Sequence, residues 1–236
     1  MHESLNRDQL YVTVDILILT VRDGKLVLML SRRMTPPYEG RMSLPGRFVG
    51  QEEHAETAVR QLLKEMLPVS DPYIEQLYTF SEVNRDPRGR VISLAYLVIV
   101  TQQCLEQVLA EKKTVMQPYE VSLGPDGLRL TGADGTVLIG SDLGFDHGRI
   151  IETGVQRLRG KIDYTDIGFR FINSLSAFSL SELQTVFEAI LDTSLDRSNF
   201  RRLILTRYEK TGKLWQTAVD ARSGRGRPAV MYRFDL

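Results

Sequence analysis

The sequence predicts an α/β (α+β) protein made of two units, and three observations lead to this fold class. Strand and helix patterns alternate over residues 1–110. Short β runs separated by Asp-Gly and similar turns follow over 114–144. A helix, a tight turn, an arginine-rich helix and a hairpin complete the chain. We therefore predict a first unit over 1–144, with 114–144 as a small β appendage, and a second unit over 145–236.

In the first unit, a hairpin is predicted where Asp23-Gly24 separates two runs of β-branched and aliphatic residues. The predicted strands are 12–21, 25–30, 76–83 and 91–100, with short β runs at 128–131 and 136–139. The predicted helices are 53–67, which Pro68 ends, and 104–113. The stretch 35–50 is rich in proline and glycine and predicts turns.

The second unit begins with a predicted linker helix over 145–162, and a capping box at Ser179 and Glu182 starts the next helix. The helix at 196–208 exposes three arginines and a serine, namely Arg197, Ser198, Arg201 and Arg202. A hairpin follows, and its loop carries Arg225 and Arg227. This order predicts a winged helix-turn-helix, in which the second helix enters the DNA major groove and the wing contacts phosphates.

Composition and charge exclude several classes of protein. Hydrophobic residues make up 42% and charged residues 25%, and the formal net charge is zero, as in ordinary globular chains. The single cysteine excludes an intrachain disulfide. All apolar runs fall short of the ~18 residues of a membrane span, so we expect a cytoplasmic protein without a membrane partner. The last 41 residues hold 10 basic and 4 acidic side chains, which favours a polyanionic partner.

Gly46, Glu52 and Arg60 have the spacing of the Nudix box. The segment 44–49 resembles the Leu-Pro-Gly-Gly-Phe-Val entry to that box, with Arg47 in place of the second glycine. The first unit therefore resembles a Nudix domain. That resemblance implies an α/β/α sandwich that binds a nucleoside diphosphate and, in working enzymes, hydrolyses it with Mg²⁺.

The box departs from the pattern of a working enzyme at two positions. Three glutamates normally lie on one helix face and hold the metal, whereas this chain has Gln61, Lys64 and Glu65 there. An amide is a weak ligand for Mg²⁺, and an ammonium group repels it. We therefore predict no catalytic residues, no metal site and no cofactor, with Glu52 and Glu65 left as candidate Mg²⁺ ligands only if hydrolysis persists.

A degenerate Nudix domain joined to a winged helix resembles the NrtR-type transcriptional regulators. The segments that carry the resemblance are 85–91, 143–147, 178–184, 199–202 and 224–229. The family implies a homodimeric repressor of NAD-metabolism genes that reads a palindromic operator and is released by ADP-ribose. The effector-binding residues we predict are Arg41, Arg47, Lys64, Glu65, Arg85 and Arg88. Lys64 is expected to pair with a ligand phosphate in place of the metal.

Two alternatives stay open at this point. The chain could instead be an active hydrolase of ADP-ribose-like nucleoside diphosphates, since Glu52 and Glu65 remain. It could also be a regulator of the same architecture that responds to pentoses and controls sugar-use genes. Release of AMP from ADP-ribose would favour the first alternative, and stabilisation by free pentose would favour the second.

Overall fold

A computed structural model describes residues 9–68, 71–111, 115–221 and 229–236. The strands are β1 (Leu10–Arg22), β2 (Lys25–Arg32), β3 (Met42–Ser43), β4 (Gly46–Phe48), β5 (Tyr73–Phe80), β6 (Arg90–Ile99), β7 (Met116–Gly124), β8 (Gly127–Gly132), β9 (Val137–Ile139), β10 (Phe178–Ser179), β11 (Leu214–Ala221) and β12 (Ala229–Phe234). The helices are α1 (Ala55–Met66), α2 (Gln102–Ala110), α3 (His147–Ile162), α4 (Leu180–Leu191) and α5 (Arg197–Tyr208). Two short 3₁₀ helices lie at Gly140–Asp142 and Ile167–Phe171.

Within the described residues, the larger sheet has nine strands and is centred on β1. Its order is β5-β6-β1-β2-β7-β8-β9, with β3 paired to β2 and β4 paired to β1. Strands β1 and β6 run parallel, and the other pairs are antiparallel. The predicted hairpin at Asp23-Gly24 joins β1 to β2. Both turn residues have positive φ, as a two-residue hairpin turn requires.

Side chains of β1 alternate between two apolar layers, because successive residues of a strand point to opposite faces. Ile16 and Ile18 are fully buried in the layer that contains α1 and α2. Leu17 and Leu19 are fully buried in the layer that contains α3. Helices therefore cover both faces of the sheet, which confirms the α/β/α sandwich.

The segment 114–144, which we predicted as a small β appendage, is continuous with the main sheet in its described part. Strand β7, which was not predicted, pairs with β2 over five residues and so connects β8 and β9 to the sheet. Val27 and Leu28 of β2 lie directly opposite residues of β7. The core also continues across residues 144 and 145, because α3 packs on this sheet and on α4. The boundary between the two units stays a prediction.

The carboxyl-terminal helices and strands form a winged helix in the described residues. The capping box is present: Glu182 N–H donates to Ser179 Oγ at 3.1 Å, and Ser179 N–H donates to Glu182 Oε2 at 2.7 Å. Strands β10, β12 and β11 form a three-stranded sheet in that order. Phe169, in the 3₁₀ helix after α3, stacks on Phe234 of β12 with ring centroids 3.6 Å apart. The 3₁₀ helix therefore packs against this sheet. Among the described helices, none combines the length and apolar character that a membrane crossing needs.

Candidate ligand cavity and nucleic-acid interface

A cavity of about 160 Å³ opens at one end of the larger sheet. Its walls come from β1, β4, the loop between β5 and β6, and the start of α3. The lining is unusually rich in arginine and also contains two phenylalanines. The lining residues are Thr13, Asp15, Arg33, Leu44, Gly46, Arg47, Phe48, Arg85, Asp86, Arg88, Phe145 and His147.

The glycine of the Leu-Pro-Gly entry allows β4 to lie against β1 at this cavity. Gly46 pairs with Asp15 in the sheet, and a Cβ atom on Gly46 would lie 2.3 Å from Asp15 Oδ1 and 2.7 Å from the carbonyl oxygen of Val14. The second contact is with backbone, which cannot move aside. Glycine is therefore required here because of a close approach and not because of its φ angle.

A buried ionic network forms one wall of the cavity. Arg85 Nη2 lies 3.2 Å from Asp15 Oδ2 and 2.7 Å from Asp146 Oδ1. Ser93 Oγ also donates to Asp15, at 2.5 Å. Burial by itself raises the pKa of Asp15, but His147, Arg85 and Ser93 together lower that pKa to about 2. Asp15 is therefore a fixed carboxylate at neutral pH, and it neutralises part of the charge of Arg85.

His147 joins this network from the first residue of α3. The backbone N–H of Leu44 donates to His147 Nδ1 at 2.8 Å, so Nδ1 carries no proton. The other ring nitrogen, Nε2, lies 3.5 Å from Asp15 Oδ1. His147 is 2% exposed, and its two partners explain why a histidine can be buried at this position.

The arginines of the cavity differ in how completely their charge is balanced. Arg88 makes two hydrogen bonds to Asp86, at 3.0 and 2.7 Å, and its guanidinium lies over the rings of Phe48 and Phe145 at 5.4 and 5.6 Å. Arg33 donates only to backbone carbonyl oxygens and makes no ion pair among the described residues. Arg33 is therefore the cation in the lining that has most to gain from a bound anion.

Arg47 connects the cavity to the Nudix box. Its Nη1 donates to Gln61 Oε1 at 2.7 Å, and its Nη2 lies 3.2 Å from Glu53 Oε2. Lys64 and Glu65 are exposed on α1 and do not belong to the lining of this cavity, so their predicted role in effector binding stays a prediction. Gln61, on the same face of α1, is the box residue that contacts the cavity lining, through its hydrogen bond with Arg47.

Arg41 also lies outside the lining of this cavity, and its role in effector binding stays a prediction. Its Nη1 donates to the carbonyl oxygens of Ser141 and Leu143, at 2.9 and 3.4 Å. The side chain is therefore used to hold the segment that leads into α3. Of the six predicted effector residues, the structure brings together Arg47, Arg85 and Arg88.

Sequence reasoning missed five of the lining residues that shape the chemistry of the cavity. They are Asp15, Arg33, Phe48, Phe145 and His147. Phe48 belongs to the quoted Leu-Pro-Gly entry, and Phe145 and His147 belong to the quoted linker segment, so both motifs gave a signal. Asp15 gave a weaker one, as the only charged residue inside the apolar run of β1. Arg33 stands among ordinary turn residues and gave none.

The residues around the box offer a Mg²⁺ ion fewer carboxylates than the box of a working Nudix enzyme. Gln61 Oε1 already accepts a hydrogen bond from Arg47, and Glu52 and Glu65 are both exposed. Within the described ranges, no three His, Cys, Asp or Glu side chains lie together in an arrangement that could hold a metal. Mg²⁺ is usually held by one or two carboxylates together with waters and substrate phosphates, and of the three box positions only 65 carries a glutamate in this chain.

Helix α5 presents the predicted DNA-binding side chains on its exposed face. Arg197, Ser198, Arg201 and Arg202 are all exposed, whereas the buried residues Phe200, Ile204 and Tyr208 face the core. Arg202 donates to Asn199 at 2.9 Å, and the guanidinium of Arg201 lies 5.9 Å from the ring of Tyr232 in β12. The basic face of α5 is therefore next to the wing sheet. Arg225 and Arg227, which we predicted in the wing loop, lie outside the described residues.

Comparison with known proteins agrees with this architecture. The family described as the NrtR DNA-binding winged helix domain matches residues 175–234. The ADPR responsive transcriptional repressor NtrR of Acinetobacter baylyi is 29% identical over 227 residues, which cover 95% of this chain and 82% of that protein.

Two solved structures are similar to nearly the whole chain. The crystal structure of Shewanella oneidensis NrtR complexed with a 27mer DNA is 30% identical, with a TM-score of 0.73, over 95% of this chain and 93% of that one. A MutT/nudix family protein from Enterococcus faecalis shares the fold, with a TM-score of 0.75 at 24% identity, over 99% of this chain and 90% of that one. The chain therefore belongs to the NrtR family of Nudix-related transcriptional regulators.

Proposed function

We propose that this chain is a transcriptional repressor that binds a DNA operator and leaves it when ADP-ribose occupies the cavity. The observation that carries the proposal is the arginine-rich cavity on the same continuous core as the winged helix. The Acinetobacter baylyi relative, an ADPR responsive repressor, supports the choice of effector. The Shewanella oneidensis relative, solved with a 27mer DNA, supports the choice of macromolecular partner.

The cavity has the chemistry that a nucleoside diphosphate sugar requires. Guanidinium groups bind phosphate oxygens in pairs of hydrogen bonds, and Arg33 and Arg47 both line the cavity. Phe48 and Phe145 offer ring faces for a base or a ribose. The cavity volume of about 160 Å³ is smaller than the ~300 Å³ of the smallest pockets that hold drug-sized ligands. Part of the ligand therefore extends beyond the cavity, over its open rim.

We further propose that the chain does not hydrolyse the ligand efficiently and needs no cofactor. Gln61 and Lys64 replace two of the three glutamates that a working Nudix enzyme uses, and the oxygen of Gln61 accepts from Arg47. The proposed state on DNA is a homodimer whose recognition helices lie about 34 Å apart, so that they read the two halves of a palindrome. Genes of NAD metabolism are the proposed targets, and a regulator of this kind works in the cytoplasm beside its DNA.

A DNA-binding titration tests this proposal. Labelled duplexes from upstream of the chain's own gene and of NAD-metabolism genes are titrated with the purified chain, and binding is followed by fluorescence anisotropy. We expect ADP-ribose to lower the DNA affinity at least fivefold, because an effector acts by its preference for the state that does not bind DNA. Free pentose should have no effect. Size-exclusion chromatography with light scattering measures the oligomeric state of the free chain and of the complex.

Other outcomes would identify the two alternatives. Release from DNA by pentose and not by ADP-ribose would contradict the proposed effector and favour the sugar-responsive regulator. Production of AMP from ADP-ribose with Mg²⁺ at about 1 per second or faster, without binding to any duplex, would contradict the regulator and favour the hydrolase.

The arginines of α5 supply a second check on the DNA side of the proposal. Replacing Arg202 with alanine should weaken binding and reduce the salt dependence by about one unit of slope, because one phosphate contact is lost. The control is Arg129→Ala, which removes an exposed arginine from β8 in the larger sheet. An unchanged slope for Arg202→Ala would exclude a phosphate contact by this side chain.

A further inference from the structure

Arg47 is placed where two departures from the Nudix pattern meet. It lies in β4 opposite Val14, replaces a glycine of the Nudix entry, and lines the cavity. Its side chain crosses to α1 and donates to Gln61, which stands where the first metal-binding glutamate is expected. The two substitutions are therefore in direct contact, at 2.7 Å.

The contacts of Arg47 leave much of its hydrogen-bonding capacity unused. A guanidinium group has five N–H donors, and the bonds to Gln61 and Glu53 engage two of them. The side chain is 35% exposed at the cavity, so the remaining donors are accessible to a ligand. Because residue 61 is an amide, Glu53 is the one carboxylate that balances this charge within salt-bridge distance among the described residues.

We propose that the Arg47 guanidinium, held by Gln61 and Glu53, takes the place of the divalent cation and binds the ligand's diphosphate directly. The inference rests on the proposed function, because it concerns how the same ligand is held. Arginine suits this role, since its planar fork matches two phosphate oxygens and it stays charged at every physiological pH. A guanidinium at this point also repels a Mg²⁺ ion that approaches the box. The bound diphosphate therefore requires no metal.

Titration calorimetry of the full chain with ADP-ribose, in EDTA and in excess Mg²⁺, tests this inference. We expect the wild-type Kd to agree within twofold in the two buffers. Arg47→Ala should weaken binding at least tenfold in both buffers, as expected for the loss of hydrogen bonds to a charged group. The matched control is Arg129→Ala, an exposed arginine on β8 outside the cavity lining, which should bind within twofold of wild type.

A second variant keeps the inference testable if Arg47→Ala does not fold, which its melting temperature reports. Gln61→Glu changes an exposed residue of α1 and adds a carboxylate that competes for the guanidinium. It should weaken binding in EDTA and recover part of the affinity in Mg²⁺. Equal affinity of Gln61→Glu and wild type in both buffers would overturn the inference.

The outcomes separate this inference from the proposed function. Wild-type binding that requires Mg²⁺, or an Arg47→Ala variant that binds as tightly as wild type, would overturn the role of Arg47 and leave the effector in place. Absence of ADP-ribose binding by the wild type in both buffers would overturn the proposed effector, and the role of Arg47 with it.

Discussion

Arg33 occupies a position in the cavity where positive charge is not balanced locally. Its Nε donates to the carbonyl oxygen of Pro37 at 2.8 Å, and its guanidinium lies 4.6 Å from the ring centroid of Phe145. Burial and the neighbouring charge of Arg88 both lower the pKa of Arg33. An anionic ligand would relieve this unfavourable environment, so Arg33 should contribute strongly to affinity.

Replacing Arg33 with alanine should therefore weaken ADP-ribose binding at least tenfold, because a charge-assisted contact with phosphate is lost. Arg32 offers a matched control in the adjacent position, since its Nη1 donates to the carbonyl oxygen of Gly40 and it is absent from the cavity lining. Calorimetry of Arg32→Ala should give a Kd within twofold of wild type. Equal losses in the two variants would show that Arg33 has no direct role.

Asp15 contributes to stability through a carboxylate that burial would otherwise disfavour. Its pKa of about 2 in the folded chain is below the ordinary value of 3.8, because His147, Arg85 and Ser93 outweigh the effect of burial. A lowered pKa means that the unfolded chain binds the proton more readily. The contribution of Asp15 is therefore complete above pH 4 and is lost as the pH falls towards 2.

The Asp15→Asn variant should lower the free energy of unfolding by about 3 kcal/mol at pH 7, because one partner of a buried ion pair is removed. Urea denaturation measures this difference, and the difference should shrink between pH 4 and pH 3. Asp126→Asn, at an exposed turn, serves as the control and should change stability by less than about 0.5 kcal/mol. A difference that does not depend on pH would contradict the lowered pKa of Asp15.

A side chain of the site could be predicted only where the sequence around it carried a recognisable motif. Arg85 and Arg88, which line the cavity, were predicted because they belong to a motif that resembles a known loop. Lys64 and Glu65 lie outside the lining, because helical spacing gives the face of α1 but not what that face contacts. Arg33 was not predicted, since only the folded chain shows that carboxylates pair with the other three cavity arginines. Among the described residues, Arg33 alone of the four makes no ion pair.

At the scale of elements, α3 shows how glycine can favour a helix through packing while disfavouring it locally. A Cβ on Gly148 would lie 2.6 Å from the Cα and 2.7 Å from the carbonyl oxygen of Gly140, so only glycine lets the helix start against this backbone. A Cβ on Gly160 would meet nothing within 4 Å. Gly148 and Gly160, two of the three glycines of this helix, should therefore respond to substitution in opposite directions.

Gly148→Ala should destabilise the chain by about 1–3 kcal/mol, because the added methyl group would overlap with the backbone of Gly140. Gly160→Ala should stabilise it by about 0.5–1 kcal/mol, because alanine loses less conformational entropy in a helix. Thermal and urea unfolding of both variants measure these changes. Stabilisation of similar size in both would indicate that helix propensity, and not the contact with Gly140, decides the effect.

Most of the helices and strands could be predicted because local signals and tertiary packing agree. The capping box before α4 and the Asp-Gly turn between β1 and β2 are such signals, and both elements lie where they were expected. Strand β7 was missed, since its burial alternates only weakly and its stability comes from pairing with β2, which is distant in sequence. The segment 114–144 was predicted as a β appendage for the same reason. The pairing of β7 with β2 cannot be recognised from the residues of β7 alone.

At the scale of the whole molecule, α3 connects the cavity to the winged helix. Asp146 and His147, at its first turn, belong to the ionic network beside the cavity. Arg159, in its last turn, donates to the carbonyl oxygens of Leu123 and Ile190, at 2.7 and 2.9 Å. His147 and Arg159 lie about 18 Å apart along the helix axis. Arg159 therefore joins β7 of the larger sheet to the carboxyl end of α4, just before α5.

This arrangement predicts that Arg159 transmits ligand occupancy to the DNA-binding face. In Arg159→Ala, ADP-ribose should still bind within about threefold of wild type, because the residue is remote from the cavity. The factor by which ADP-ribose lowers DNA affinity should fall at least threefold, since residues that connect two sites modulate coupling by about 0.5–2 kcal/mol. Anisotropy titrations of labelled duplex at zero and saturating ADP-ribose measure that factor.

The control is Arg157→Ala, on the same helix, where Arg157 lies 3.7 Å from Glu75. This variant should retain the wild-type factor. Unchanged coupling in Arg159→Ala would show that the signal reaches the winged helix by contacts other than this one.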